Sequence, residues 1–314
     1  MAEFRLCHSL RFGGFDYVLA PFIPLVAGDR VQERLLKDVL PQNCGSVRTV
    51  PQVIGKDPEQ LRAMASSLRA IGYSEMDLNC GCPWKFVAKK GRGSGLPENE
   101  DAFRAMLEAG CEAMPGGFSI KIRLGMKTPD TLAKRAELIQ QFPLREITIH
   151  PRTGGQMYEG KADVEAFAEV LPLFGVPVVY NGDIKTVSDY ASIVKRFPSI
   201  VGVMVGRGLV EDPFLAHDIR AWEDGGRGTL ETPPHDEDRV GKVLAFADEL
   251  YRRYRETLCG PSPVLGRMKE LWGYLHRYFR GGEGVLRAVQ RSASLHDYES
   301  AVATFQRELP ACKC

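Results

Sequence analysis

The chain has 314 residues, 44% hydrophobic and 26% charged, which matches a soluble globular protein with one large domain and an appended smaller one, and excludes a single small domain. A formal net charge of +1 does not mark a chain that is basic throughout, although a local basic face is compatible with it. Its eight cysteines follow no regular framework, the N-terminus lacks a secretion-signal pattern, and no apolar run approaches the ~20 residues that cross a bilayer, so reduced thiols, a cytoplasmic location and no membrane span are expected.

From the N-terminus to about residue 220, short β-rich apolar runs alternate with amphipathic stretches. The expected strands are Asp16–Phe22, Thr49–Gly55, Ser74–Cys80, Phe118–Leu124, Glu146–His150, Val176–Asn181 and Ile200–Gly206. Helical stretches lie at Pro58–Ile71, Asn99–Met114, Thr128–Gln141 and Thr186–Arg196. Continuous apolar strands separated by helices predict a parallel sheet buried on both faces, and its closed form is the TIM (β/α)₈-type barrel, whose functional residues sit at the C-terminal strand ends. The runs end in special residues: Pro21, Gln52, Asn79 with Cys82, Lys121 with Arg123, His150 with Arg152, Asn181-Gly182-Asp183 and Gly206-Arg207. Glycines after the last two runs let backbone N–H groups approach a phosphate, which barrels commonly hold there. The runs number seven where a complete barrel has eight, so either a strand is absent or the barrel is of another type.

Beyond residue 220, Trp222–Asp238 reads as a Gly, Pro and acid-rich linker. Three helices are expected after it, at Val240–Leu258, Pro263–Phe279 and Gly284–Leu309. They interleave Arg252, Arg253, Arg255, Arg267, Lys269, Arg277, Arg280, Arg287 and Arg291 with Tyr251, Tyr254, Trp272, Tyr274, Tyr278 and Phe279. That mixture suits RNA phosphate contact and base stacking; a three-helix bundle with a solvated basic face fits it equally. The domain reading is therefore 1–225 for a catalytic barrel, 226–238 for a linker and 239–314 for an all-α domain.

Two cysteines stand one residue apart at the end of the third run. Cys80 lies within the strand and is read as core, since cysteine packs as a small hydrophobe. Cys82, in Gly81-Cys82-Pro83, lies just past the strand at the barrel mouth. A thiol whose ordinary pKa is ~8.5 is mostly protonated at neutral pH, so it can donate a proton as well as attack as a thiolate. Zinc is not expected, because one intervening residue departs from the usual two to four and no second pair lies near. Cys312 and Cys314 read as tail residues.

Together these segments resemble the tRNA-dihydrouridine synthase family. The resemblance rests on Val50–Gly55, Asp77-Leu78-Asn79-Cys80-Gly81-Cys82-Pro83, the loop Lys89–Gly95, Lys121–Gly125, His150-Pro151-Arg152-Thr153, Asn181-Gly182-Asp183-Ile184 and Gly206-Arg207-Gly208, and it covers most of the chain. It implies an FMN enzyme that uses NADPH to reduce the C5=C6 bond of a tRNA uridine, with Cys82 protonating C5 opposite a hydride delivered to C6. Carried over, Gln52, Lys121, His150, Asn181, Gly182, Asp183, Gly206 and Arg207 hold FMN. Asn79 and Arg152 face the uracil, Lys85 lies near the RNA backbone, and the C-terminal helices bind tRNA. A monomer without metal is expected.

The chain departs from the family pattern at its start, where Met1–Arg5 resembles the interior of the helix that follows the family's first strand. Asp16–Phe22 then corresponds to the second strand, and the first is expected to be absent. Two other functions stay open on this reading: a dihydroorotate-dehydrogenase-like flavoprotein, and a catalytically silent RNA-binding remnant.

Overall fold

The computed structural model describes residues 2–26, 33–225 and 236–309. The expected strands form, two of them interrupted. Asp16–Phe22 gives β1 (Val18–Leu19), and the chain returns to the sheet as β2 (Ile23–Pro24); Thr49–Gly55 divides into β3 (Thr49–Val50) and β4 (Gln52–Ile54). β1 pairs with β3 and β2 with β4, with a one-residue change of register between Val18↔Thr49 and Ile23↔Val53. Pro21 and Pro51 stand in the two interruptions, where their missing N–H groups cannot continue a ladder. The remaining strands are β5 (Met76–Cys80), β6 (Phe118–Gly125), β7 (Ile147–Thr153), β8 (Val178–Tyr180) and β9 (Gly202–Val203).

Among the described residues, β2, β4, β5, β6, β7, β8 and β9 form one parallel sheet in that order. Consecutive parallel strands need crossovers, and helices Pro58–Ala70, Glu100–Ala113, Thr131–Ile139, Val164–Val170 and Val187–Arg196 lie in them, all but the unexpected Val164–Val170 close to the amphipathic stretches of the sequence. Asp57 and Asn99 cap the first two of these, each accepting backbone N–H bonds at the helix start. Packing onto the strands is close: a Cβ on Gly110 would come within 2.1 Å of the Phe118 ring, so only glycine fits where that helix meets β6.

The period of two along each strand separates two chemistries. Leu78 and Cys80 pair in register with Ile120 and Ile122, which pair with Ile147 and Ile149, and all six are buried. On the other parity, Gln52 registers with Asp77 and Asp77 with Ser119, Asn79 with Lys121 and Lys121 with Thr148, and Arg123 with His150. One face of the sheet is therefore apolar, and the other carries a polar band that runs across four strands, β4 to β7.

The chain divides into two compact units, the first Met1–Ala2, Asp16–Asp183 and Ser192–Met204, the second Glu3–Phe15, Ile184–Ala191 and Val205–Cys314. In the second unit an aromatic cluster joins helix Ala2–Arg11 to the C-terminal helices: His8 and Phe12 lie 6.0 and 5.3 Å from Phe246, and Phe12 lies 4.8 Å from Phe214. Its C-terminal helices are Glu237–Thr257, Pro261–Leu275, Glu283–Arg291 and Leu295–Glu308. The expected third helix is thus two, separated where Ser294 and Asp297 form a capping box that restarts the chain as a helix. Of the expected linker, Trp222–Asp224 end helix Leu215–Asp224 and Glu237–Asp238 begin the next; residues 226–235 lie outside the described residues, as do Cys312 and Cys314.

Four of the six aromatic residues expected to stack on bases are buried, while Tyr251 and Tyr274 are half-buried. Tyr254, Trp272, Tyr278 and Phe279 are core side chains, with Trp272 fully buried against Phe305 and Phe279. Tyr251 donates to Glu299. Of the basic residues expected to meet RNA, Arg252 pairs with Glu249 and Glu256, Arg253 with Glu249, Arg255 with Glu299, Arg267 with Glu270 and Arg277 with Glu211, whereas Lys269, Arg280, Arg287 and Arg291 make no ion pair among the described residues. Glu249, Glu256 and Glu270 lie one turn from their arginines on the same helices and could be read from spacing, whereas Glu211 and Glu299 come from other helices and could not.

Candidate active site at the strand ends

A hydrogen-bond chain built from the polar band holds the turn that carries Cys82. Asp77, fully buried on β5, accepts from Gln52 Nε2 at 2.7 Å and from Ser119 Oγ at 2.9 Å. Burial raises its carboxyl from 3.8 to about 6, against the pull of those two donors. Gln52 Oε1 accepts from Asn79 Nδ2 at 2.9 Å. Asn79 Oδ1 then accepts the backbone N–H groups of Gly81 and Cys82 at 3.1 and 2.8 Å. Three side chains at strand ends thus fix the backbone of a half-buried cysteine.

Two further contacts close around this turn. The Cys82 carbonyl accepts from Ser94 N at 3.1 Å and Ser94 Oγ at 2.9 Å. Gly93, at φ +55°, lies against it so tightly that a Cβ there would meet the Cys82 carbonyl oxygen at 2.8 Å. From the opposite side Arg123 donates through Nε to Gly81 O at 2.9 Å, and through Nη1 to Thr153 O and Met157 O at 2.9 and 2.7 Å. That guanidinium ties the cysteine turn to the loop after β7. Cys80, by contrast, is 1% exposed within the strand, where burial pushes its thiol well up.

Lys121 stands beside Asn79 in register, with Asp77, Arg123 and Cys82 as its charged or titratable neighbours. Burial, with Arg123 adding to it, lowers its ammonium to about 8. His150 Nε2 lies 2.9 Å from Arg152 Nη1; since guanidinium only donates, Nε2 carries the lone pair and the ring proton sits on Nδ1. Arg152, expected against the base, is 1% exposed and bonds Gly160 O and Asp183 as well as His150. It braces the β7 and β8 ends from within. Asp183, at φ +45°, also accepts from Ala162 N at 2.8 Å. Asn181 Nδ2 donates to Met204 O at 2.8 Å, and Gly182 is buried where a Cβ would press on Ala162 at 2.8 Å. Gly206 and Arg207 belong to the second unit, Gly206 preceding helix Arg207–Glu211. Lys85 is exposed at the start of helix Lys85–Ala88.

Sequence reasoning passed over four residues here: Asp77, Ser119, Arg123 as a tie, and Ser94. The first three share parity with Asn79 and Lys121, and an acid inside the apolar run Met76–Cys80 is itself a signal of a polar interior. Nothing local marks Ser94, whose role depends on the loop folding back twelve residues.

The polar band fits a planar heteroaromatic cofactor with several acceptor atoms. Among the described residues the Lys121 ammonium makes no hydrogen bond although it is held among the strands, which is the state of a donor awaiting a partner. Gln52 and His150 stand on the same face of the sheet.

Residues 20–298 match the family model described as dihydrouridine synthase (Dus). The tRNA-dihydrouridine(16) synthase of Cupriavidus necator is 30% identical over 286 residues, covering 89% of this chain and 86% of the relative. The protein of the same name from Pseudomonas putida is 31% identical over 285 residues, covering 86% of this chain and 83% of the relative. Among solved structures, morphinone reductase superposes with a TM-score of 0.50 at 12% identity, covering 74% of this chain and 83% of that one. The old yellow enzyme homologue of Zymomonas mobilis superposes with a TM-score of 0.52 at 9% identity over 74% and 85%. The likeness to these two is one of fold, the TIM-barrel type expected from the strand and helix order, and with the family match it makes this chain a member of the dihydrouridine synthase family of oxidoreductases.

Proposed function

We propose that this protein reduces the C5=C6 bond of a tRNA uridine to 5,6-dihydrouridine, at position 16, the position for which the relatives from C. necator and P. putida are named. The observation that carries the reading is the held cysteine: a half-buried thiol whose backbone is fixed by Asn79, Ser94 and Arg123, near Lys121, which makes no hydrogen bond among the described residues. A proton donor must be presented at one carbon of the base in a set geometry, and such a turn provides that.

FMN held along the polar band would supply hydride chemistry at C6, with NADPH as its reductant. Gln52, Lys121, His150, Asn181, Gly182 and Asp183 are the residues of the first unit that would hold it; for Gly206 and Arg207 that part rests on the resemblance alone. Cys82 gives its thiol proton to C5 and recovers one from solvent, so each turnover adds one hydride and one proton to the pyrimidine. Asn79 has both of its polar atoms engaged, so its part is to aim the Cys82 turn. Arg152 is assigned the same kind of part, holding His150 in one tautomer. The target base has to leave its stack to reach the mouth, at a cost of a few kcal/mol that binding elsewhere on the RNA offsets. The domain division is proposed as a catalytic barrel followed by a helical domain from Glu237 onward.

The test incubates the protein with FMN, NADPH and an unmodified tRNA transcript, and reads the mass gain of two hydrogens at position 16. Cys82→Ala should keep the visible flavin band and tRNA binding but lose nearly all dihydrouridine formation. A variant as fast as the parent removes Cys82 from the reaction. A parent that takes up flavin and tRNA yet forms no dihydrouridine turns the reading toward a silent RNA-binding protein. The dihydroorotate-dehydrogenase-like alternative has no support from the family match.

A further inference from the structure

Arg280, Arg287 and Arg291 in the C-terminal region make no ion pair among the described residues, and a second group of such cations follows the cysteine turn in the chain. Lys85, Lys89, Lys90 and Arg92 fall within residues 83–95, a segment without one acidic residue. Among the described residues none of the four, nor Lys56, whose side chain lies within 4 Å of where a Gly91 Cβ would stand, is in an ion pair. The same segment exposes two large aromatic side chains, Trp84 at 55% and Phe86 at 74%. Phe22 and Tyr158 are exposed as well, but Trp84 and Phe86 are the pair set two residues apart, two and four residues from Cys82, and two such neighbouring faces in solvent call for a partner.

Their mounting is rigid. Trp84 O accepts from Val87 N and Ala88 N at 2.8 and 2.9 Å, and Ala88 O accepts from Gly91 N at 2.9 Å. The ring centroids lie 6.5 Å apart at 42°, so the two rings do not lie flat on one another and their faces stay open. A flat apolar face within a cluster of unpaired cations matches single-stranded nucleic acid, where an unstacked base covers the ring and its phosphates meet the lysines. An acidic protein surface would meet the charges, but it would not bring planar bases to cover the two rings.

Resting on the function proposed above, we infer that Trp84 and Phe86 form a stacking platform for an unpaired tRNA base adjacent to the target uridine, with Lys85, Lys89 and Lys90 on its phosphates. Turning the uridine out leaves its neighbours without a stacking partner, and this platform replaces it beside the thiol. Trp84 and Phe86 are then positioning and specificity residues, and they do not touch the reacting bond.

The experiment measures Kd for an unmodified tRNA transcript at several salt concentrations, together with KM and kcat, for the parent, Trp84→Ala/Phe86→Ala, Trp84→Phe and Lys85→Ala. The double variant should bind roughly 5- to 100-fold more weakly, the loss of about one stacked base, with the salt slope unchanged. Its KM should rise more than its kcat falls, and Trp84→Phe should retain most of the affinity. Lys85→Ala should instead flatten the slope by about one phosphate contact. If the double variant binds as tightly as a parent that forms dihydrouridine, the platform is wrong while the function stands. If the parent binds tRNA without modifying it and the double variant binds more weakly, the platform stands while the function falls. A parent that self-associates, and that the double variant renders monomeric with tRNA affinity unchanged, makes this patch an interface between copies and overturns the inference.

Discussion

Replacing Asn79 with alanine tests whether the side-chain chain from Asp77 really holds the cysteine turn. The substitution removes three hydrogen bonds at once: the acceptor of Gly81 N, the acceptor of Cys82 N, and the donor to Gln52 Oε1. A buried polar group left without its partner costs about 1–3 kcal/mol. Gly81 and Gln52 are buried and bear that cost in full, while half-buried Cys82 can recruit water, so the sum is about 3–5 kcal/mol. A domain stable by roughly 5–15 kcal/mol survives this as a folded but weakened protein. Urea denaturation should show the loss, and dihydrouridine formation should fall further than stability alone explains, because the thiol is no longer aimed. Asn79→Asp provides the control, since it keeps an acceptor for both N–H groups of the turn but sets oxygen against Gln52 Oε1. A loss under about 1 kcal/mol for Asn79→Ala, with the parent's rate of reduction, would refute the reasoning, because the turn would then be held by Ser94 and Arg123 alone.

Two further outcomes follow from the same geometry. Gly93→Ala should lower the melting temperature and slow reduction together, because its Cβ would enter at 2.8 Å from the Cys82 carbonyl oxygen at a backbone φ of +55°; a variant with unchanged rate would show that the loop yields without moving the cysteine. Asp77 has a folded pKa of about 6 against 3.8 ordinarily, so the folded state holds the extra proton. Its contribution to stability is complete below about pH 4 and is lost as pH rises through about 6, by on the order of 2–3 kcal/mol. Asp77→Asn, whose amide can still meet Gln52 and Ser119, should flatten that part of the stability profile; an unchanged slope between pH 4 and 6 would assign the titration to another group.

Much of the site was legible because parallel strands write their geometry into the sequence. Residues of one parity face one side, and chemistry gathers at C-terminal ends, so Gln52, Asn79, Cys82, Lys121 and His150 could be placed on one surface without coordinates. The roles within that surface were less legible. Asn79 and Arg152 looked like substrate contacts until their partners were known, since a carboxamide or guanidinium has the same formula whether it meets a ligand or a carbonyl of its own chain. The interrupted strands at Pro21 and Pro51 could be read only in outline, because proline excludes a ladder bond but does not say where pairing resumes.

The C-terminal helices show the limit most clearly. Composition alone established that they are helical, arginine-rich and aromatic, because those are properties of local periodicity. Whether Trp272 stacks on a base or on Phe305, and whether Arg255 meets a phosphate or Glu299, depends on which helix faces which. Only the tertiary structure decides that, since burial and ion pairing are set by neighbours distant in sequence. The same structure leaves Trp84 and Phe86 exposed two and four residues from Cys82, which no local pattern in the sequence marked.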